Sequence, residues 1–543
     1  MIDRELSRFL LFPAALCLLV LVVTLAGGGG SVYYAENPLV FLLSYHLIFA
    51  VYGEENARSL ISFRLQRNKV TDALLLYRCG QLCTGAAGLF FALVVCLLLG
   101  QPVSAGLFGI RETQLSLMML SPAFFFLAQT GNMMGLLDAV HLKGRTEAAG
   151  WILPAGSLVF GVILAVLVRG YGARVGALLH SDRYQAVYTS AGLCAGITAA
   201  SFLTWLYLLF MSLLVTRELV SERDSLGLDH EEQMGDLIWY GLRKLSPSFI
   251  PSLLPSAAEL ILFHLFVGRD PEHAAGAEPA WDAMMGLSVP FLLLLVLTGC
   301  VFFTSAVKLL TDDYYQNRRR ALRLRFGMIM RLFAALFLPV GVFVFGAAKP
   351  IVQIFHSGLT GEAKNAAVLS MKLLSPCVFF LGAGIILFWF ISNTYASWLA
   401  VSAGAAGCAV TLVFYEVFLK GTVPGVEGPA AAVTIGAALW WCLLVLIIGR
   451  RLIRRLKPVQ DFLFDYVLAA IACLLAVLPV ILLNDMMTEL IVPVGGVVIL
   501  LILYLPLCAV FGILLGVDLH SVDRLPCGVY LQMLARMMHR YEG

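Results

Sequence analysis

Two stretches decide how this chain is read: LSPAFFFLAQT at 120–130 and LSPCVFFLGAG at 374–384. Both open Leu-Ser-Pro and continue through Phe-Phe-Leu, more than two hundred residues apart. In so apolar a sequence one such match carries little weight, so the decision rests on what flanks each copy. RELSRFLLFPA at Arg4 matches RKLSPSFIPSL at Arg243, and ALLLYRCG at Ala73 matches ALRLRFG at Ala321. The three matches occur in the same order, at offsets of 239, 248 and 254. They divide the chain into two copies of one plan.

Composition says what that plan is built in. Of 543 residues 60% are hydrophobic and 13% charged, with a mean hydropathy of +0.90. A soluble domain is about one-quarter charged. Runs of roughly 20 apolar residues, each enough to cross a bilayer as a helix, recur along the whole sequence. They fall near 9–28, 38–57, 74–99, 115–138, 147–169, 187–215, 246–267, 284–307, 325–347, 367–391, 395–418, 427–449, 461–484 and 489–516. The expected fold is therefore an all-α polytopic membrane protein of about 14 transmembrane helices. The first run lacks a clear signal-cleavage site and reads as a retained helix.

An even count puts both termini on one side. With that side cytoplasmic, 26 Lys and Arg fall inside and 8 outside, three more lying within helices. The bias supports cytoplasmic termini, although three arginines flank the outer turn at 170–186 and the inner turn ISNTYAS has none. Each half holds an even number of helices, so the repeats are parallel. That arrangement suits an alternating-access transporter with its path between two halves. The expected segments are an N-terminal lobe (1–216), a charged linker (217–245), a C-terminal lobe (246–450), two further helices (451–516) and a tail (517–543) that reads as an amphipathic surface helix.

Ionisable groups at membrane depth mark candidate pathways. In YGEENARS, Glu54 and Glu55 precede Arg58 by four and three residues and share its helix face. Arg78 enters helix three, Gln129, Asn132 and Asp138 run along helix four, Glu259 and His264 lie on helix seven, and Lys308 ends helix eight. Arg58, Arg78 and Lys308, with Gln129 and Asn132, are candidates for holding an anionic head group, a task that suits Arg through bidentate bonding. Glu54, Glu55, Glu259 and His264 are candidates for ion coupling. Each has a plainer reading. Arg58 and Lys308 snorkel from helix ends, Glu54, Glu55 and Arg58 close on themselves, Gln129 and Asn132 join helices, and His264 is interfacial. The Ser-Pro pairs at Ser121 and Ser375 shape their helices.

The 12 cysteines show no CxxC spacing, so no metal site is expected. No phosphate-cradling loop is present, which argues against direct ATP drive and for coupling to a proton or sodium gradient or to membrane potential. Nothing in the sequence suggests a nucleic-acid partner.

The strings ENARSLISFRLQRNKVTDALLLYRCG, LSLMMLSPAFFFLAQTGNMMGLLDAVHLKGRTEAAG, FFTSAVKLLTDDYYQNRRRALRLRFG, MKLLSPCVFFLGAGIILF and VPGVEGPAAAVTIGAAL are similar to the polysaccharide transporter and stage V sporulation protein B group. That group belongs to the multidrug/oligosaccharidyl-lipid/polysaccharide exporter superfamily, and the resemblance spans about 40–450. It implies two pseudo-symmetric six-helix lobes in a V, two appended helices, and movement of a polyprenyl-linked saccharide or cell-wall precursor. It further implies a monomer among membrane lipids in a cell membrane, of bacterial origin. A multidrug antiporter of the same superfamily is the first alternative. Such antiporters usually have twelve helices and an acid in the first, whereas no acid lies here between Phe9 and Tyr33. A membrane-embedded saccharide polymerase is less favoured because the outer loops are short, and a non-transporting scaffold of the same fold is a further alternative.

Overall fold

The structure, a computed structural model, describes residues 4–26, 30–181, 183–226, 234–245, 249–267, 278–355, 361–394, 397–420, 425–453, 464–484 and 503. Every regular element among them is helical. Among the described residues nine helices are long and apolar enough to cross a membrane, ten if the bent pair Lys364–Leu374 with Cys377–Ser392 forms one span. Two shorter apolar helices, Leu10–Leu25 and Tyr466–Ala476, accompany them. The chain is a multi-pass membrane protein. The expected span at 489–516 and the tail at 517–543 lie outside the described residues.

The chain forms two compact units, one of residues Leu11–Val267 and one of Met1–Leu10 with Gly268–Gly543. The first unit is built from α1 (Arg4–Leu25), α2 (Ser31–His46), α3 (Gly53–Leu65), α4 (Val70–Phe90), α5 (Thr113–Ala139), α6 (Lys143–Leu179), α7 (Arg183–Leu226), α8 (Met234–Leu245) and α9 (Phe249–Val267). A π-helical turn at Leu47–Tyr52 joins α2 to α3, so one bent rod runs from Ser31 to Leu65. It begins seven residues before the apolar run at 38–57. Pro38 lies inside the helix.

Two of these helices depart from the expected plan. The sequence treats 217–245 as a solvated linker, but α7 continues to Leu226 and Met234–Leu245 is a helix packed on α3 and α4. Phe249–Val267 opens the second half of the sequence, yet it belongs to the first unit, packed on α2. The polar seam described below is the physical reason.

At the centre of the first unit lies α5. Its Gly131 and Gly135 let the π-turn and α3 come close, and a Cβ on Gly135 would sit 2.8 Å from Glu54 O. Around it Leu60, Ile61, Leu74, Leu136, Leu137 and Leu208 form a dry cluster.

The second unit contains α10 (Val289–Tyr315), α11 (Arg319–Gly346), α12 (Gly361–Leu374), α13 (Cys377–Ser392), α14 (Ser397–Val413), α15 (Glu427–Ile447) and α16 (Phe464–Asn484). Here α16 lays Ala469, Ala472, Cys473 and Ala476 against Ala335 of α11. Small residues allow such close approach where lipid offers no hydrophobic drive to pair helices.

The two Leu-Ser-Pro copies now separate. Pro122 sits inside the continuous α5, and Ser121 donates from Oγ to Ala92 O of a neighbouring helix at 2.7 Å. Ser375 instead donates to Lys372 O in its own helix at 2.8 Å, and α12 and α13 meet there at 43°. Backbone bonds from Ser375 N and Val378 N, each reaching three residues back, tighten the bend into a 3₁₀-like turn.

Candidate functional site

In the first unit the polar residues fall into two groups. One surrounds the π-turn. Unwinding to a π-turn is frequent where a helix carries function, and here it immediately precedes Glu54, Glu55 and Arg58. Arg58 Nη2 donates to Glu55 Oε2 in an i,i+3 pair whose side chains are 35% and 47% exposed. An ion pair this exposed contributes little to stability.

One helix on, Arg78 is exposed and forms no ion pair or hydrogen bond among the described residues. The neighbouring candidates do different work. Gln129 accepts from Trp205 Nε1 at 2.6 Å and Asn132 donates from Nδ2 to Tyr77 O at 3.0 Å. Those bonds tie α5 to α7 and to α4, which is the helix-joining reading of both residues. Their amides also fill the space over Gly85 and Gly80 of α4. Asp138 accepts from Thr146 Oγ1 at 2.6 Å across the turn between α5 and α6.

The second group is the seam between α2 and α9, which run antiparallel. Ser44 donates to Ser252 O at 3.0 Å and its Oγ also meets that of Ser256, which bonds Val40 O at 3.3 Å. Tyr33 packs on Phe263 with ring centroids 5.7 Å apart. Between these contacts the Glu259 carboxyl, both oxygens shielded from solvent, meets that of Glu36. Glu36 is 4% exposed and the adjacent Asn37 is fully buried, donating to Phe108 O at 3.4 Å. His264, one turn beyond Glu259, donates from Nε2 to Gly106 O at 3.2 Å and lies against Gly109, whose φ of 73° favours glycine.

Sequence reasoning singled out Glu259 and missed Glu36 and Asn37. Their signal was present in period: Glu36, Val40 and Ser44 recur every four residues and mark one helix face. In the second unit, Lys308 of α10 is exposed and makes no ion pair or hydrogen bond among the described residues. Among the described residues no three His, Cys, Asp or Glu gather as a metal site.

No protein-family profile and no curated protein matches the chain. Solved structures do match. The lipid II flippase MurJ, in an inward closed conformation, superposes with a TM-score of 0.66 at 14% identity, covering 93% of this chain and 97% of that one. An inward-facing multidrug resistance MATE family transporter of the MOP superfamily gives 0.58 at 14% identity, covering 82% and 97%. The eukaryotic MATE transporter AtDTX14 gives 0.54 at 14% identity, covering 82% and 95%. At these identities the likeness establishes the fold: the chain has the architecture of these solved transporters.

Proposed function

We propose that this chain is a transporter that moves a lipid-linked saccharide or cell-wall precursor across the membrane by alternating access of two lobes. The observation that carries the choice of substrate class is extent. The fold shared with a lipid II flippase runs over 93% of the chain, whereas that shared with the multidrug transporters stops at 82%. A plan of 14 helices, two six-helix lobes and two appended helices accords with that extent.

The chemistry of the site fits an anionic head group. A pyrophosphate needs cations that are held in place and not already neutralised. Arg78 and Lys308 meet that description, and Arg58, paired with Glu55, follows the π-turn. Gln129 and Asn132 support the helices that present Arg78. The buried Glu36–Glu259 seam is the candidate for ion coupling, because acids at membrane depth are costly and are kept where an ion is handled. On this reading Glu54 and Glu55 tune Arg58, and the chain is no enzyme.

The test is translocation of a fluorescent polyprenyl-pyrophosphate saccharide by the purified protein in vesicles. Arg78→Gln lowers the rate at least ten-fold while a multidrug cation is not transported. Transport of such a cation, with no movement of the lipid-linked probe, selects the antiporter reading instead.

A further inference from the structure

We infer that α8 is a docking surface for anionic phospholipid head groups, holding the chain between its membrane-crossing helices α7 and α9 to the bilayer surface. It is twelve residues long, less than the roughly 20 needed to cross the hydrocarbon. It is also strongly two-sided. Ile238 and Gly241 lie half-buried on the side that packs on α3 and α4, while Asp236, Trp239, Tyr240 and Arg243 recur at helical spacing on the other.

Trp239 is 68% and Tyr240 54% exposed. Two large aromatic rings bared to water on a surface helix are unfavourable, but their mixed character, an apolar body with a polar tip, suits the head-group layer. The surroundings say which layer occupies them. α3 and α4 are joined by a turn bearing Arg67 and Lys69, and Arg67 stacks 4.0 Å above the ring of Phe63, itself 50% exposed. α9 begins four residues after α8 with Ile250 61% exposed. The helices packed beside α8 thus bare apolar side chains of their own, and Arg67 in the nearby turn and Arg243 on α8 are exposed cations of the kind that complements phosphate, while Lys69 pairs with buried Asp72 at 3.9 Å. A solvated linker needs none of this.

The full-length protein is reconstituted in phosphatidylcholine vesicles with and without about one-third phosphatidylglycerol. Trp239 is isolated as the fluorescence lost on Trp239→Phe, a variant whose unfolding temperature is measured alongside. In the anionic vesicles this component is quenched by chains brominated near the head group and shielded from aqueous acrylamide. Arg243→Gln lowers the preference for phosphatidylglycerol over phosphatidylcholine about five-fold, the effect of one cation at such a surface. A Trp239 component open to acrylamide and indifferent to brominated lipid overturns the proposal, placing α8 in water or against a protein. Quenching equal in both vesicles, unaltered by Arg243→Gln, overturns its anionic specificity. If Trp239→Phe fails to fold, a nitroxide on Tyr240→Cys reports the same depth by its accessibility to oxygen and to a water-soluble relaxing agent.

Discussion

Asn68 and Asn317 adopt the same left-handed backbone, with φ of 58° and 54°. Each ends a long helix in the same bonds: Lys69 N donates to Arg64 O and Arg318 N to Asp313 O, both at 3.0 Å, while Asn68 N and Asn317 N reach Leu65 O and Tyr314 O. The residues stand 249 positions apart, within the offsets that relate the two halves of the sequence. Both ends are a glycine-free form of the Schellman cap, which recurs at His141 with φ of 63° and Leu142 N donating to Leu137 O at 2.9 Å.

Asparagine tolerates this conformation better than other residues bearing a Cβ. Asn68→Ala and Asn317→Ala should each destabilise their unit by about 1 kcal/mol, and Asn→Gly at either site should be close to neutral. Thermal unfolding in detergent measures both, and equal loss for Ala and Gly would point to a side-chain role instead.

The glycines of α5 give a sharper contrast. Gly135→Ala puts a methyl against Glu54 O at 2.8 Å, backbone that cannot swing aside, so it should cost about 1–3 kcal/mol and shift the π-turn. Gly170 of α6 has nothing within 4 Å of its Cβ direction, so Gly170→Ala should gain roughly 0.5–1 kcal/mol from helix propensity. Opposite signs for the two in one unfolding assay are the expected result.

Two ion pairs of similar length differ in burial. Asp313 is 2% exposed and accepts from Arg325 Nη1 at 2.6 Å, whereas both members of the Glu55–Arg58 pair are well exposed. Asp313→Asn should cost about 1–3 kcal/mol, discounted because Arg325 reaches solvent. Glu55→Gln should cost under about 0.5 kcal/mol. A transport defect in Glu55→Gln at unchanged stability would then belong to the head-group site rather than to folding.

How much of this was legible follows from where the information lies. Apolar length and basic turns are local properties, and they located the helices. The order of three weak matches gave the expectation of a repeat, with which the like caps at Asn68 and Asn317 accord. The apolar run at 38–57 missed the first turns of α2 because Glu36 and Asn37 interrupt the hydrophobicity without interrupting the helix. Glu36, just outside that run, was therefore not among the acids placed at membrane depth. Gln129 and Asn132 are polar in the sequence whether they bind substrate or join helices, and only the structure shows their bonds to Trp205 and Tyr77. α8 was hidden by its charged flanks, which dilute a two-sided stretch of twelve residues.

The seam between α2 and α9 yields the most discriminating prediction. Glu36 and Glu259 meet where no water reaches the Glu259 oxygens, so two simultaneous negative charges there repel strongly in a medium of low dielectric. Glu259→Gln keeps the shape and a hydrogen-bonding end while removing one charge, and the unfolding temperature should hold or rise. Glu259→Leu keeps bulk but leaves Glu36 facing an apolar group, and should cost about 1–3 kcal/mol. If the pair handles the driving ion, Glu259→Gln abolishes the response of transport to an imposed proton or sodium gradient while downhill exchange of substrate persists. Vesicles loaded at one pH and sodium concentration and diluted into another separate the two ions. Gradient-driven uptake that survives intact in both Glu36→Gln and Glu259→Gln would reduce the seam to a helix contact, and the coupling group would have to be sought elsewhere.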